Sequence, residues 1–261
     1  MSMTQNKRPG VPNWADCGTS DLDAAEQFYG RVFGWTAERV TASDGAVYSI
    51  QRLQGQRVAG IYQLNDELLR MNVPPHWATY FEVGDVDATI EQARAAGGTL
   101  VDGLFEEPGV GKIAVIQDTV GAFLRVWQSA PQQGGELFNE PGAMIWNELN
   151  TSEPDKACRF YETALGIKTE RITAGSAPYT LFKVDGDPVA GVLLKTSEMG
   201  EAPTAWDVYF ASDDVDATAK KIREAGGKVL VEPFDLPVGG RMAVFQDPQG
   251  AVFEVIKMES A

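Results

Sequence analysis

The segment AVIQDTVGAFLRVW, at 114–127, returns as AVFQDPQGAVFEVI at 243–256. A stretch that long, repeated in frame, makes both copies obey the same local folding rules, so the chain is built from repeated units. The repetition continues elsewhere. NWADCGTSDLDAAEQFYGRVFGW (13–35) aligns with WNELNTSEPDKACRFYETALGI from 146, at an offset of 132. Trp14 meets Trp146, Thr19-Ser20 meets Thr151-Ser152, and Phe28-Tyr29 meets Phe160-Tyr161. VAG at 58–60 meets VAG at 189–191. TYFEVGDVDAT (79–89) meets VYFASDDVDAT (208–218), and AGG at 96–98 meets AGG at 225–227, at the offset of 129 that also relates the first pair. One position reverses its charge: Arg125 in the first copy stands where the second has Glu254. The joint is SAPQQGGELFNEPG (129–142), rich in Gly, Pro and Gln. The expected organisation is a flexible N-terminus (1–11), a first domain (12–128), a linker (129–142) and a second domain (143–258).

Each half carries a weaker internal repeat. Asp21-Leu22-Asp23-Ala24 and Asp85-Val86-Asp87-Ala88 each follow a strand-like run and open a helical pattern. Asp21 and Asp85 suit the N-cap, where a side-chain oxygen satisfies a free helix N–H. Leu22, Ala25, Phe28, Tyr29, Val32 and Phe33 then fall on one apolar helical face. Gly34 and Gly97-Gly98 supply stop signals. Runs rich in β-branched and aromatic residues follow: AVYSIQRL, QRVAGIYQL, KIAVIQD and AFLRVWQ. Every quarter therefore reads strand, helix, then three strands. The fold class is α+β, with four such units of about 60 residues each.

That βαβββ order, with SDLDAAEQFYGRVFGW at the opening helix and a QDPxG hairpin before the last strand, resembles the vicinal oxygen chelate superfamily. Its members include glyoxalase I, extradiol dioxygenases and bleomycin-resistance proteins. The resemblance covers 12–128 and 143–258. It is narrower still with tandem two-domain actinobacterial glyoxalase-like proteins, some of them called hydroxylase-like in antibiotic clusters. It implies two tandem domains, each curling two βαβββ units into a U-shaped half-barrel sheet, with flanking helices and a cavity. Family metal ligands, two His (or His and Gln) plus Glu, come from first and last strands of the units. By position these places fall at Trp14, Ala78 and Arg125 in the first half, and at Trp146, Asp207 and Glu254 in the second.

The usual set is missing. The one histidine, His76, lies two positions before the expected place and ahead of the strand. Zn²⁺ and Fe²⁺ want imidazole or thiolate, and Trp, Ala and Arg cannot hold a divalent cation. Arg125 suits an anion or a structural role. In the second half, strand alternation puts Trp146, Glu148 and Asn150 on one face, Asp207 and Tyr209 on a matching face, and Glu254 with Ile256 on a third. If these faces share a cavity, Glu148, Asp207 and Glu254 form a carboxylate cluster. It would take a hard cation such as Mg²⁺, Mn²⁺ or Ca²⁺. Alternatively, crowding and desolvation raise a pKa, and one carboxylate serves as a general acid or base.

Trp14, Trp146, Tyr80 and Tyr209 suit the wall of a planar-ligand cavity, with core packing as the ordinary alternative. Lys112 and Arg241 match across the halves as residues of a solvated hairpin. Phe28-Tyr29 and Phe160-Tyr161 read as helix packing. Cys17 and Cys158 lie 141 positions apart, with no metal spacing and no disulfide framework. A formal charge of −15 argues against nucleic acid and anionic lipid as partners. No apolar run approaches the roughly 18–20 residues of a membrane helix, and the N-terminus has no apolar signal region. A cytoplasmic monomer or homodimer acting on a small molecule is expected. No cofactor is expected, a divalent metal being the one these residues leave room for. Two functions follow. One is a glyoxalase-like enzyme of lyase, isomerase or hydroxylase type without a standard His–metal site. The other is a non-catalytic protein that binds an antibiotic or metabolite.

Overall fold

The computed structural model describes residues 7–43, 45–175, 177–196 and 203–259, with backbone alone at 102 and 177. One order recurs four times. The first quarter is β1 (Pro12–Thr19), α1 (Leu22–Phe33), β2 (Thr36–Thr41), β3 (Val47–Leu53) and β4 (Gln56–Gln63). The second is β5 (His76–Glu82), α3 (Val86–Ala95), β6 (Thr99–Glu107), β7 (Gly111–Gln117) and β8 (Phe123–Ser129). The third is β9 (Met144–Thr151), α4 (Pro154–Leu165), β10 (Lys168–Ala174), β11 (Ala177–Val184) and β12 (Asp187–Leu194). The fourth is β13 (Ala205–Ala211), α5 (Val215–Glu224), β14 (Lys228–Asp235), β15 (Arg241–Gln246) and β16 (Val252–Lys257). A five-residue helix, α2 (Asp66–Arg70), was not legible, because DELLR is too short for a 3.6-residue period to show.

The helix starts follow from their aspartates. Asp21, Asp85 and Asp214 accept from the amides of Ala24, Ala88 and Ala217 at 3.0, 3.0 and 2.9 Å. Glu153 before α4 makes no side-chain cap, and the helix begins on Pro154, whose missing N–H would be unsatisfied there anyway. Gly34 and Gly166 end α1 and α4 in the left-handed conformation.

Strand order is β2-β3-β4-β1-β5-β8-β7-β6 in one eight-stranded sheet and β10-β11-β12-β9-β13-β16-β15-β14 in the other. In every quarter the last three strands run as an antiparallel meander. The last strand of each quarter then pairs in parallel with its first. The architecture is mixed α+β, tandem and duplicated, consistent with paired βαβββ half-barrels.

The chain packs as two compact units of non-contiguous segments. One takes the segment ending at Asn13, Thr79–Gly134 and Trp146–Asp207; the other takes Trp14–Ala78, Gly135–Ile145 and Val208 onward. Phe81, Leu124, Phe160, Tyr161, Phe182 and Trp206 lie in the first core. Phe28, Tyr29, Trp35, Trp77, Phe210 and Phe253 lie in the second.

The repeated motifs meet inside these cores. In the first unit the Tyr161 hydroxyl donates to Asp118 Oδ2 at 2.8 Å and accepts from Trp206 Nε1 at 2.7 Å. In the second, Tyr29 donates to Asp247 Oδ2 at 3.0 Å and accepts from Trp77 Nε1 at 2.9 Å. Each aspartate is the Asp of the repeated QD turn, and its other oxygen accepts backbone amides of that turn. Burial pushes both tyrosine hydroxyls and both carboxyls above their ordinary pKa values. A helix tyrosine and a hairpin aspartate are thus two parts of one buried clasp. The AGG motif belongs to the same contact. A Cβ at Gly98 would stand 2.6 Å from Phe160, and one at Gly227 would stand 2.9 Å from Phe28.

Candidate functional site

Ala15, Cys17, Leu149, Val208, Val126 and Val255 point into the cores. Strand alternation therefore turns their neighbours Trp14, Asp16, Glu148, Asn150, Asp207, Tyr209, Arg125 and Glu254 to the opposite faces.

In the first unit Tyr179 of β11 joins two of the residues on β9. Trp146 Nε1 donates to the Tyr179 hydroxyl at 2.9 Å, and that hydroxyl donates to Glu148 Oε2 at 2.6 Å. Glu148 is 7% exposed, and a carboxylate so far from water needs such a donor. The reach of Tyr179 is set by register. It pairs directly with Leu193, while Gly191 lies two residues away on β12. The ring crosses to that diagonal position, where a Cβ on Gly191 would fall 1.7 Å from the hydroxyl oxygen. The glycine of the VAG motif is there to admit the ring.

The second unit contains the same arrangement in shorter form. Trp14 Nε1 donates to the Tyr48 hydroxyl at 2.8 Å, and Tyr48 donates to Asp16 Oδ2 at 3.2 Å. A Cβ on Gly60 would fall 1.8 Å from that hydroxyl. Tyr48, Tyr179 and Asp16 escaped the sequence reading. The available signal was two tyrosines at offset 131, the same offset as the two VAG glycines.

Beside Glu148, Asn150 Nδ2 donates to Asp207 Oδ2. Desolvation pushes the Asp207 carboxyl up to about 7, the charge of Glu148 adds to the rise, and the bond from Asn150 opposes it. Neighbouring carboxyls of this kind release their protons as a pair. Burial, then the Glu148 charge, holds the Tyr179 hydroxyl far above its ordinary pKa, so it stays a donor. The structure brings together Trp146, Glu148 and Tyr179, and sets the Asn150–Asp207 bond within the electrostatic reach of Glu148.

The other predicted positions are placed as follows. Tyr80 and Arg125 are register neighbours on β5 and β8, with the guanidinium 5.1 Å from the Tyr80 ring centroid. Trp127 meets the same ring edge-on at 5.9 Å. Tyr209 and Glu254 hold the equivalent register on β13 and β16, both buried. The charge reversal therefore sits beside a tyrosine common to both halves. His76 opens β5 instead of preceding it, and its Nδ1 lies 2.9 Å from the Pro74 carbonyl. Lys112 and Arg241 do more than line a solvated hairpin. Lys112 bonds Asp87 at 3.1 Å, and Arg241 bonds Asp216 at 2.7 and 3.0 Å, tying hairpin to helix start. Burial pushes the Cys158 thiol up to about 11, which leaves little thiolate for nucleophilic work.

The donor set bears on the question of a metal. At the places where the family carries ligands, the first half has Trp14, Ala78 and Arg125, none of which fits a cation. Among the described residues no three His, Cys, Asp or Glu side chains are arranged to hold a metal ion. Of the three carboxylates expected to hold a hard cation, Asp207 bonds Asn150 and Glu148 bonds Tyr179. The first-half residues at these places do not fit a metal.

Comparison with known proteins places this geometry. The family model for the Glyoxalase/Bleomycin resistance protein/Dioxygenase superfamily matches residues 12–126 and 144–255. The chain is 41% identical to "Putative glyoxylase CFP32" of Mycobacterium tuberculosis, over 98% of both chains. It is 33% identical to the anthracycline biosynthesis protein DnrV of Streptomyces peucetius, over 96% of this chain and 94% of that one. Among solved structures, the Mn(II)-bound glyoxalase from Novosphingobium aromaticivorans matches with a TM-score of 0.64 at 18% identity, over 96% of this chain and 82% of its own. The 2,3-dioxygenase LapB from Pseudomonas sp. KL28 matches with a TM-score of 0.65 at 14% identity, over 97% and 94%. At such identities the two structures speak for the fold alone. No helix among the described residues is long and apolar enough to cross a membrane. Four βαβββ quarters, a family model matched across both halves and relatives spanning nearly the full length lead to one assignment: the chain belongs to the glyoxalase/bleomycin resistance protein/dioxygenase superfamily.

Proposed function

We propose that the second half of the chain carries a metal-independent acid–base site for a small or planar oxygenated metabolite, with Asp207 as the proton-transfer group. The observation that carries this reading is the Asn150–Asp207 bond beside buried Glu148, which leaves one carboxyl poised near neutral pH. As carboxylate, Asp207 accepts a proton from a carbon or oxygen acid of the substrate; as carboxylic acid it returns that proton to a neighbouring atom. Such a transfer serves lyase and isomerase chemistry, and the deprotonation step of a hydroxylation. Trp146, half-buried and anchored through Tyr179, offers a flat wall for an aromatic ring. A relative named for anthracycline biosynthesis makes a polycyclic aromatic ligand the first one to test.

The second reading is a binder with no turnover. It is favoured by the first half, which keeps the Trp14–Tyr48–Asp16 arrangement yet has Ala78 in the place of Asp207. One titration separates the two. An anthracycline added to the full-length protein quenches tryptophan fluorescence, and Trp146→Ala weakens its binding about 10-fold, some 1.4 kcal/mol. With Asp207→Asn, binding stays within about 3-fold while conversion of the ligand falls about 100-fold or more. Binding without conversion in the natural protein supports the binder. No binding at all rejects both readings for this ligand class.

A further inference from the structure

We infer that Asn150 is a ligand-binding residue whose carbonyl oxygen accepts a hydrogen bond from a hydroxyl or N–H of the bound molecule, so that the site selects aromatic compounds carrying a free donor. This rests on the acid–base reading above and adds what the ligand must present. Asn150 is 7% exposed. Its Nδ2 donates to Asp207 Oδ2, which fixes the amide orientation and directs Oδ1 elsewhere. That Oδ1 is buried and has no hydrogen-bond partner among the described residues. A buried amide oxygen is normally satisfied, and leaving it without a donor is destabilising. A ligand hydroxyl supplies what the protein omits.

At the matching positions the first half lacks this pair. Gly18 stands in the place of Asn150, and Ala78 in the place of Asp207. There the Tyr62 hydroxyl comes within 2.7 Å of where a Gly18 Cβ would be, so a tyrosine occupies the space that Asn150 takes in the second half. The position matching Tyr62 is Leu193, which has no hydroxyl to offer. Amide and carboxyl are present together or absent together. Because Asp207 and Glu148 stand close by, the ligand group is a neutral donor, not an anion.

The test compares 1-naphthol with 1-methoxynaphthalene on the full-length protein. The two share a ring system, and only the first can donate. We expect 1-naphthol to bind about 10-fold more tightly and to shift the side-chain amide nitrogen resonance of Asn150, with no such shift from the ether. Asn150→Leu should reduce the preference to about 2-fold or less, while Asn150→Asp, which keeps an acceptor, retains most of it. Should Asn150→Leu not fold, the resonance in the natural protein decides alone. Equal affinity for the two probes, or a preference that survives Asn150→Leu, overturns the inference. Anthracycline binding without a donor preference leaves the acid–base reading standing and removes this one. Failure of all three compounds to bind removes both.

Discussion

Gly191→Ala is expected to destabilise the protein by about 2–5 kcal/mol and to cost it ligand binding as well. The new methyl carbon would sit 1.7 Å from the Tyr179 hydroxyl and 2.4 Å from the ring carbon that bears it. Both are far inside contact distance, and Gly191 lies within β12, whose backbone is held on both sides by β11 and β9. The ring has to leave. With it go the bond from Trp146 and the bond to Glu148, so a buried carboxylate loses that donor. Tyr179→Phe does not relieve the clash, since the ring carbon remains. Tyr179→Ala does, so Gly191→Ala in that background should cost less than about 1 kcal/mol, a strong non-additivity readable in urea unfolding. Gly103→Ala is the control, because nothing lies within 4 Å of its Cβ. It should stay within about 0.5–1 kcal/mol of the natural protein. If Gly191→Ala behaved like Gly103→Ala, the placement of Tyr179 would be wrong.

Asp207→Asn is expected to stabilise the protein above neutral pH while removing its chemistry. The folded carboxyl titrates at about 7, against an ordinary value of 3.8 in the unfolded chain. Between those values the folded state holds a proton that the unfolded state has lost. Stability therefore falls as pH rises from about 4 through about 7, and is unaffected by this group below that range. A shift of this size corresponds to at most about 4 kcal/mol, less whatever solvent reaches the carboxyl. The amide that replaces the carboxyl cannot ionise and escapes that loss. Unfolding measured from pH 4 to pH 8 should show the variant gaining on the natural protein throughout the interval, with the gain levelling off near pH 8. A constant difference across the range would show that no strained carboxyl is present. A stabilising substitution at a working residue is the usual sign of a site built at some cost in stability.

Much of the fold is legible in the sequence. The Asp21 and Asp85 caps, the apolar stripe of α1, the QD turns and the fourfold strand–helix–meander order are local consequences of local sequence. The faces carrying Glu148 and Asp207 followed from alternation alone. What stayed hidden was tertiary. Nothing near Tyr179 in sequence announces that its hydroxyl reaches Glu148, because β12 and its glycine intervene in space, not along the chain. The clasp of Tyr161 with Asp118 is separated by 43 positions and that of Tyr29 with Asp247 by 218, so the FY and QD motifs could be seen to repeat but not to meet. The reversal of Arg125 to Glu254 was plain in sequence. Its setting, each beside a tyrosine across a parallel strand pair, needed the register.

A single proton near Asp207 carries the proposed chemistry. The carboxyl carbon resonance of that residue, assigned by comparison with Asp207→Asn and followed from pH 3 to pH 9, measures the proton directly. A midpoint near 7 is the predicted result. A midpoint near 4, the value of an ordinary aspartate, would contradict it.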